Sequence, residues 1–528
     1  MNTVYKKTVE NDVSPLFITL KEKIKGDISC SYQTLASHSV DNSNCQVWPQ
    51  AVVFPKTVND IKEIIDFAKE YNMPISPRGN GSLDDGGSLT EGIHLDMTKY
   101  FSEIKTINVI NSLITVESGV SNKYIKEKLK SWGLEIPIIT EENETGTIGG
   151  LVSSKHISSS FLEHGSIREW VEGINIVLSN KEEHQIRDGV APSSGLLEIY
   201  EKTFPLISRN LSYINGAKNN CRVDNSGFDI WNQSISGRQL IDIIVGSGGT
   251  LGIITSITLR TTPIKRKEVS LLLEINSYKD LQKSIDILKD AGLERVNLID
   301  TNSIILAGKN FESITKEIKL KEDTKFCLLG TLRANDEERL EHKAKIILSK
   351  IHLDEKDKRI LNHEEASAYK KLVSSPKEIL SIYSKKRLPV INFLDSLIVE
   401  VSQVSNFIKE LEEILQNKGM TFLISGNVAF GHVSILFIYD ISNDEMCDKL
   451  FLFTRDIFSL TKKYNGGICG YGNDGLIRTP FLNVMYGSKI TELFNEIKNI
   501  WDAENIFNPS KKTYASLSYL KQHLRKIN

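Results

Sequence analysis

The chain has 528 residues, which at about 150 residues per domain corresponds to about three domains. Its 40% hydrophobic and 25% charged residues are ordinary for a globular protein and exclude intrinsic disorder and fibrous repeats. The 65 Lys and Arg nearly balance the 67 Asp and Glu, and a net charge of -2 argues against a dedicated nucleic-acid binder.

The six cysteines and the first residues together indicate a reducing compartment. No two cysteines form a C-x-x-C pair, and the closest two, Cys30 and Cys45, stand 15 residues apart, so neither a disulfide framework nor a zinc finger is expected. The N-terminal lysines have no apolar run behind them, and no stretch approaches the about 20 apolar residues of a membrane span. We therefore expect a cytoplasmic protein with no transmembrane segment.

Strand and helix patterns alternate in the first half of the chain. A capping box and apolar residues at i, i+3, i+4 and i+7 predict a helix from Thr57 to about Asn72. A strand is predicted over Leu113–Glu117, and the helix behind it should bury Trp132 and end at Gly133. A weaker pattern further on indicates an insertion with one helix near Leu197–Phe204.

The pattern changes after Pro263 to a second unit of strands and helices. Predicted strands at Val269–Ile275 and Leu397–Val401 each precede a helix, which is typical of helices packed over an antiparallel sheet. The resulting division is an N-terminal extension (1–46), a first α+β domain (47–263), a cap domain (264–504) and a C-terminal segment returning to the first domain (505–528).

Three glycine-rich loops follow one another in the first half. They are Pro77–Gly87, Gly146–Gly150 with His164-Gly165 close behind, and Gly246–Thr255. Glycine tolerates positive φ, so successive backbone N–H groups can converge on one anion, and Arg78 adds a permanent positive charge to the first loop. That combination suits a diphosphate. The first loop alone is equally well explained as an ordinary turn, but three such loops in order are not.

A fourth glycine cluster, Gly470–Gly475, fits the G-x-G-x-x-G fingerprint of dinucleotide-binding folds. That fingerprint needs a strand before it and a helix opening on it. Pro480 interrupts any helix there, so we reject a Rossmann fold.

Taken together, the loops resemble the flavoprotein superfamily of vanillyl-alcohol oxidase and p-cresol methylhydroxylase, and within it the D-2-hydroxy-acid dehydrogenase branch. That branch carries R-G-x-G-[ST], T-I-G-G followed by [YH]-G, and G-S-x-G-T-L-G-I-I-T; the counterparts here are Arg78–Ser82, Thr147–Gly150 with His164-Gly165, and Gly246–Thr255. The resemblance implies an α+β fold, in which a two-part FAD-binding domain of the p-cresol methylhydroxylase (PCMH) type carries an α+β cap domain with an antiparallel sheet.

The resemblance also implies FAD as the cofactor, bound non-covalently because the first loop has no histidine. The first loop would take the diphosphate, and the other two would line the ribityl chain and the flavin ring. The residues assigned to FAD in this way are Arg78, Gly79, Asn80, Gly81, Ser82, Gly146, Thr147, Gly149, Gly150, His164, Gly165, Gly246, Gly252, Ile253 and Ile254.

The chain departs from that branch at the motifs for metal and base. Where the branch has a G-H-x-x-G-x-x-x-H pair that binds a divalent metal, this chain has Asn427 and Ser434 in place of the histidines. The branch then has G-E-H-G, with a further ligand and a histidine base, and the corresponding residues here are Gly470–Asn473. The metal-assisted mechanism therefore does not carry over, and we expect no metal.

Three residues are candidates for catalysis. His432 and Tyr471 lie in the segments that face the flavin in relatives, and either could be the base for a substrate hydroxyl. The alternatives are a histidine partly solvated at a strand start and a tyrosine that packs over the pocket. Arg478 could pair with a substrate carboxylate, or form a structural ion pair.

These observations predict an FAD-dependent oxidoreductase that passes a hydride from a small alcohol or hydroxy-acid-like substrate to flavin N5, without a divalent metal. Two alternatives stay open, namely a redox-neutral flavin transferase resembling alkylglycerone-phosphate synthase and a flavoprotein that has lost catalysis and acts as a binding or scaffold subunit. The expected partners are a small-molecule substrate and an electron acceptor, which the sequence does not identify as oxygen, quinone or protein. The sequence also allows a homodimer, which it does not decide.

Overall fold

The computed structural model describes residues 13–231, 239–308, 316–318, 320–384 and 387–526. Two sheets form the first part of the molecule, and a small two-stranded sheet (β7 with β11) leads out of it. Their strands are β1 (Asp27–Ser29), β2 (Ala51–Phe54), β3 (Ile75–Arg78), β4 (Ile93–Asp96), β5 (Ile104–Asn108), β6 (Leu113–Glu117), β7 (Leu134–Glu135), β8 (Val171–Val177), β9 (Glu183–Arg187), β10 (Ile253–Arg260) and β11 (Thr262–Pro263).

The two main sheets of the first part differ in strand direction. The four-stranded sheet has the order β1-β2-β4-β3, in which β4 runs parallel to β2 and β3 while β1 is an antiparallel edge. The five-stranded sheet has the order β5-β6-β10-β8-β9 and is antiparallel throughout. These two sheets are the two α+β parts that the resemblance implied.

Nine α-helices cover these sheets among the described residues. They span Ile18–Lys23, Tyr32–His38, Val58–Glu70, Asn122–Lys130, Ile148–Ser153, Phe161–His164, Ser194–Arg209, Leu211–Ala217 and Leu240–Ile244. The helix predicted from Thr57 is confirmed, because Thr57 Oγ1 accepts a hydrogen bond from the N–H of Asp60 and Ile61, Ile64 and Ile65 are buried.

Two predictions for this part were wrong. Trp132 lies beyond the end of helix Asn122–Lys130 and is 58% exposed, so the buried face ends at Leu129. The insertion holds two helices instead of one, because the chain turns at Asn210, between Ser194–Arg209 and Leu211–Ala217.

The cap has one seven-stranded antiparallel sheet, in the order β15-β12-β14-β13-β17-β18-β16. Its strands are β12 (Lys267–Ile275), β13 (Arg295–Asp300), β14 (Phe326–Ala334), β15 (Lys358–Ile360), β16 (Val390–Ile398), β17 (Phe422–Asn427) and β18 (His432–Ile438). Successive residues of β12 face opposite sides, so that Leu271 and Leu273 enter one apolar core and Leu272 enters another.

In the described part of the cap and the C-terminal segment, helices span Tyr278–Leu288, Asn302–Ala307, Glu337–Lys350, His363–Ser374, Pro376–Tyr383, Val404–Asn417, Asp444–Lys463, Gly475–Arg478, Leu482–Tyr486, Ser488–Trp501 and Leu517–Gln522. The strand predicted at Leu397–Val401 lies earlier, because β16 ends at Ile398 and residues Val401–Gln403 form a short 3₁₀ helix. The predicted antiparallel cap sheet is confirmed.

The chain ends pack on the first part. The N–H of Ile75 donates to the carbonyl of Ile506 at 2.7 Å, and Lys498 Nζ donates to the carbonyl of Thr250 at 2.6 Å. At the other end β1 already belongs to the first sheet, inside the segment that we expected to be an extension. No helix among the described residues is long and apolar enough to cross a bilayer.

Candidate functional site

A cavity of about 490 Å³ lies between the three glycine loops and the cap sheet. The loops contribute one wall, and β13, β16, β17, β18 and the segment 471–473 contribute the other. We call them the loop wall and the cap wall.

The first loop presents backbone N–H groups to the cavity. Residues 79–82 follow β3 directly, and their four N–H groups form no hydrogen bond with any part of the chain that is described. Gly81 has a φ of 64°, the left-handed conformation that turns successive N–H groups to one side. Two amides brace the loop, since Asn80 Nδ2 donates to the carbonyl of Thr145 at 2.6 Å and Asn42 Nδ2 to that of Ser82 at 2.9 Å. The loop is therefore a preformed anion nest.

The glycines of the loop wall allow the three loops to touch one another. A Cβ on Gly79 would lie 2.2 Å from Thr147 Oγ1, and one on Gly249 would lie 2.6 Å from the ring of Pro77. A Cβ on Gly149 would lie 2.6 Å from the carbonyl of Ser118. Side chains at these positions would separate the loops, so the wall has to be built from backbone.

Arg78 lines the cavity but uses its guanidinium on the chain. Nη2 donates to the carbonyl of Val40 at 2.7 Å, while Nη1 donates to the carbonyl of His38 at 3.3 Å and to Ser88 Oγ at 3.2 Å. Burial lowers the pKa of Arg78. Its charge is close to the nest, but its hydrogen bonds tie the first loop to residues 38–40.

The cavity brings most of the predicted site residues together. The predicted residues that line it are Arg78, Gly79, Asn80, Gly81, Ser82, Gly146, Thr147, Gly149, Gly150, Gly252, Ile254, His432, Tyr471 and Arg478. Four predicted residues do not line it, namely His164, Gly165, Gly246 and Ile253.

These four have other surroundings. His164 Nε2 faces Glu163 at 3.6 Å, and Gly165, with a φ of 69°, ends the short helix there. A Cβ on Gly246 would touch the side chain of Lys155 at 2.9 Å, and Ile253 is buried in the core of the first sheet. Their motif positions are explained by turns and packing.

His432 is held in one neutral tautomer. Its Nδ1 accepts the N–H of Asn427 at 3.3 Å, and its Nε2 lies 3.1 Å from the carbonyl of Asp395, to which it donates. Burial lowers the pKa of His432 to about 4. The ring stacks on Tyr471 at 5.0 Å between centroids. Because both nitrogens are engaged, this geometry argues against His432 as the base.

Tyr471 faces a carboxylate. Its hydroxyl donates to Glu142 Oε2 at 2.9 Å, a contact between the cap wall and the loop wall. Burial and the charge of Glu142 raise the pKa of Tyr471 well above its usual range. A tyrosine that acts as a base by ionising needs a lowered pKa, and the structure shows the opposite shift.

Arg478 is paired within the protein. It is 1% exposed, its Nη2 contacts Asp395 Oδ1, and its Nη1 donates to the carbonyl of Asn473 at 2.7 Å. Burial and the neighbouring Asp84 raise the pKa of Asp395 well above its usual range, and Arg478 opposes that shift. Of the two roles that the sequence left open for Arg478, the geometry favours the ion pair.

The cavity residues that sequence reasoning missed include Asp84, Glu142 and His156. His156 is 6% exposed, neither ring nitrogen has a partner, and its ring meets that of Tyr471 edge-on at 5.4 Å. Burial lowers its pKa to about 4. Each of the three lies within about six residues of a glycine loop, and this proximity was the available signal.

The residues at the position of the metal motif are an amide, Asn427, that bonds within the protein, and a hydroxyl, Ser434. Asn427 Nδ2 donates to the carbonyl of Ser159 at 2.9 Å, and its Oδ1 accepts the N–H of Val296 at 3.3 Å. The amide therefore joins the two walls, and the hydroxyl of Ser434 is a weak ligand for a divalent ion. We derive no step through a metal.

Over the described ranges, one cluster has the ligand types for a metal, and it lies away from the cavity. It consists of Glu163, His164 and Glu294. Its carboxylates are already neutralised, since Lys265 pairs with Glu163, and Arg295 pairs with Glu294 at 3.1 Å. We assign it to the contact between the cap and the first part.

Comparisons with known families identify both parts. Residues 49–186 match the family described as FAD binding domain, and residues 264–512 match the C-terminal domain of FAD linked oxidases. The chain is 23% identical to D-2-hydroxyglutarate dehydrogenase of Escherichia coli over 92% of this chain and 50% of the relative. It is 24% identical to glycolate oxidase subunit GlcD of Bacillus subtilis over 88% of this chain and 89% of that subunit. It thus spans about half the length of the dehydrogenase.

Two solved structures have the same fold. One is 4-ethylphenol oxidase from Gulosibacter chungangensis, with a TM-score of 0.68 at 14% identity, covering 96% of this chain and 99% of that one. The other is alkyldihydroxyacetonephosphate synthase, with a TM-score of 0.63 at 13% identity, covering 96% of this chain and 86% of that one. At this identity the likeness concerns the fold alone, and it confirms the architecture implied by the glycine loops.

Proposed function

The chain belongs to the family of FAD-linked oxidases, and from this premise we propose that it is an FAD-dependent oxidoreductase that oxidises a small alcohol or hydroxy-acid-like substrate. One observation supports the proposal: the anion nest of residues 79–82 and the Tyr471–Glu142 pair line the same cavity.

The loop wall fits FAD, which is the cofactor of this family. The unpaired N–H groups of residues 79–82 suit a diphosphate, because they supply donors without a side chain in the way. Thr147, Gly149, Gly150 and Ile254 line the same cavity and would contact the rest of the cofactor. Since the first loop has no histidine, we propose that FAD is bound non-covalently.

The bound flavin would supply the hydride acceptor. An alcohol that loses a hydride from carbon must also lose the proton of its hydroxyl, and that proton needs an acceptor. We assign it to Glu142, reached through Tyr471. The tyrosine oxygen accepts the substrate proton while its own proton moves to Glu142 Oε2, 2.9 Å away, so that Tyr471 relays the proton without ionising. Glu142 is exposed and can release the proton to water. The substrate then leaves as the carbonyl compound.

In this scheme His432 and Arg478 are positioning residues. His432 stacks on Tyr471 and fixes the plane of its ring, while Arg478 holds Asp395, whose carbonyl accepts from His432. The scheme needs no divalent metal, in keeping with the amide and hydroxyl at 427 and 434.

The test is anaerobic reduction of the bound flavin by a panel of alcohols and hydroxy acids. We expect loss of the oxidised flavin absorbance with at least one class. If FAD is bound and no member reduces it, the protein is either a redox-neutral transferase or a binding subunit. Transfer of an alkyl group without a change in flavin redox state would identify the transferase.

A further inference from the structure

The cap wall carries a row of uncharged hydrogen-bonding groups. Asn297 lies on β13, Ser425 on β17 and Ser434 on β18, and the register places Ser425 directly opposite Ser434. All three line the cavity, and none of their side chains makes a hydrogen bond with the described part of the chain. They are available to a ligand.

Two further buried side chains that line the cavity have polar atoms without a partner among the described residues. His156 has no partner for either ring nitrogen, and Asn392, which is 1% exposed, has no partner for Oδ1. Burying a polar group without a partner is unfavourable, so a ligand that pairs with these atoms would be favoured. The depressed pKa of His156 keeps its ring neutral near pH 7.

The charges of the cavity do not suit an anionic substrate. Its cations are Arg78, Lys377 and Arg478, and each donates to acceptors of the protein itself. Arg478 is also neutralised by Asp395.

Two carboxylates on the loop side of the cavity, Asp84 and Glu142, add negative charge to it. Neither Asp84 nor Glu142 has a cation within 4 Å among the described side chains. Burial lowers the pKa of Arg295, but nearby carboxylates, Glu142 first among them, raise it overall. The guanidinium of Arg295 pairs with Glu294 at 3.1 Å. A carboxylate entering here would meet Asp84 and Glu142, neither of them in contact with a cation, while the guanidinium groups of the lining already donate to the protein.

We propose that the substrate is an uncharged polyhydroxylated alcohol, a polyol or sugar, and not a hydroxy-acid anion. This inference rests on the proposed function and narrows its substrate class. Hydroxyls both donate and accept, so they can pair with the serines, the amides and the neutral imidazole together.

The experiment compares alcohols that differ only by one carboxylate. The matched pairs are glycerate with glycerol, and gluconate with glucitol, each titrated into the FAD-loaded protein. Binding is followed by the perturbation of the flavin spectrum, and reduction by its anaerobic bleaching. We expect the neutral member of a pair to bind at least about 10-fold more tightly, the effect of about 1.4 kcal/mol.

A charge variant provides the second arm. Glu142→Gln should improve binding of the carboxylate members, whereas Glu141→Gln, an exposed neighbour that does not line the cavity, should leave it unchanged. Equal or tighter binding of the carboxylate members to the wild type overturns the proposal, as does the absence of binding by both members of every pair. Binding of the neutral members without bleaching supports the substrate class and contradicts the proposed redox function.

Discussion

The loop wall of the cavity presents backbone, whereas the cap wall presents side chains. On the loop wall, glycines bring three segments into contact, and the groups left over are N–H donors at residues 79–82. On the cap wall, the groups left over are hydroxyls and amides. The first arrangement depends on the absence of side chains and suits a constant cofactor. The second depends on which side chains are present, so proteins with the same fold can bind different substrates there.

The largest effect should come from breaking the loop wall. In Gly79→Val the new Cβ would collide with Thr147 Oγ1, which caps helix Ile148–Ser153, and so would separate two loops. We expect FAD affinity to fall by at least about 100-fold, the loss of one or two charge-assisted hydrogen bonds, measured by fluorescence titration of FAD.

The control for this variant is Gly216→Val. A Cβ on Gly216 would meet no atom within 4 Å, so the same substitution there should leave FAD affinity unchanged. Normal FAD binding by a folded Gly79→Val protein would move the diphosphate site elsewhere.

On the cap wall, the largest effect on stability should come from the buried ion pair. Arg478→Met leaves Asp395 buried without its cation, which should lower the free energy of unfolding by about 3–5 kcal/mol. Adding Asp395→Leu should recover most of that loss in denaturant titrations. Arg455→Met, which removes an exposed pair with Asp456, should change stability little. No recovery in the double variant would mean that Arg478 acts through other contacts.

The catalytic part of the cap wall is tested by Tyr471→Phe. Removal of the hydroxyl should slow flavin reduction by about 10²-fold, with FAD still bound, in anaerobic stopped-flow measurements. Tyr464→Phe is a matched control, because Tyr464 also donates to a glutamate, Glu410, but outside the cavity. A wild-type rate in Tyr471→Phe would exclude this hydroxyl from the proton path.

A smaller effect is expected from the two buried histidines. The pKa of His156 and of His432 falls from 6.5 to about 4 on folding, so the unfolded chain binds more protons between these values. The contribution of these two histidines to the free energy of unfolding is therefore complete above about pH 6.5 and is lost as the pH falls towards 4. Between pH 7 and 5 the loss should be roughly 2 kcal/mol per histidine.

Unfolding by denaturant at several pH values, with excess FAD, measures this slope. His156→Leu should remove about half of it, and His342→Gln, on the exposed side of helix Glu337–Lys350, should not change it. A slope that is unaffected by His156→Leu would assign the pH dependence to other groups.

The two walls also differ in how far the sequence determines them. The loop wall could be predicted because residue type and spacing determine it. Gly79 lies too close to Thr147, and Gly249 too close to a neighbouring loop, for either to carry a side chain. The same reasoning over-assigned His164 and Gly246, whose motif positions serve turns and packing away from the cavity. Periodicity likewise could not tell that Trp132 falls just past its helix.

The cap wall could not be derived from spacing because its contacts join distant segments. Tyr471 and Glu142 are 329 positions apart, and Asn427 and Ser159 are 268 apart, so no local pattern connects them. His432 and Tyr471 were found through their motif positions, but their partners set their chemistry. One nitrogen of His432 accepts a backbone N–H and the other faces a carbonyl, and the hydroxyl of Tyr471 faces a carboxylate.

The central claim is that this cavity oxidises an alcohol with flavin and the Tyr471–Glu142 pair, and without a metal. The most direct measurement is anaerobic flavin reduction by the alcohol panel in one protein sample whose metal content is determined in parallel, before and after chelation. The account predicts bleaching that survives chelation, with far less than one metal per flavin. About one metal per flavin, together with loss of bleaching on chelation, would contradict it.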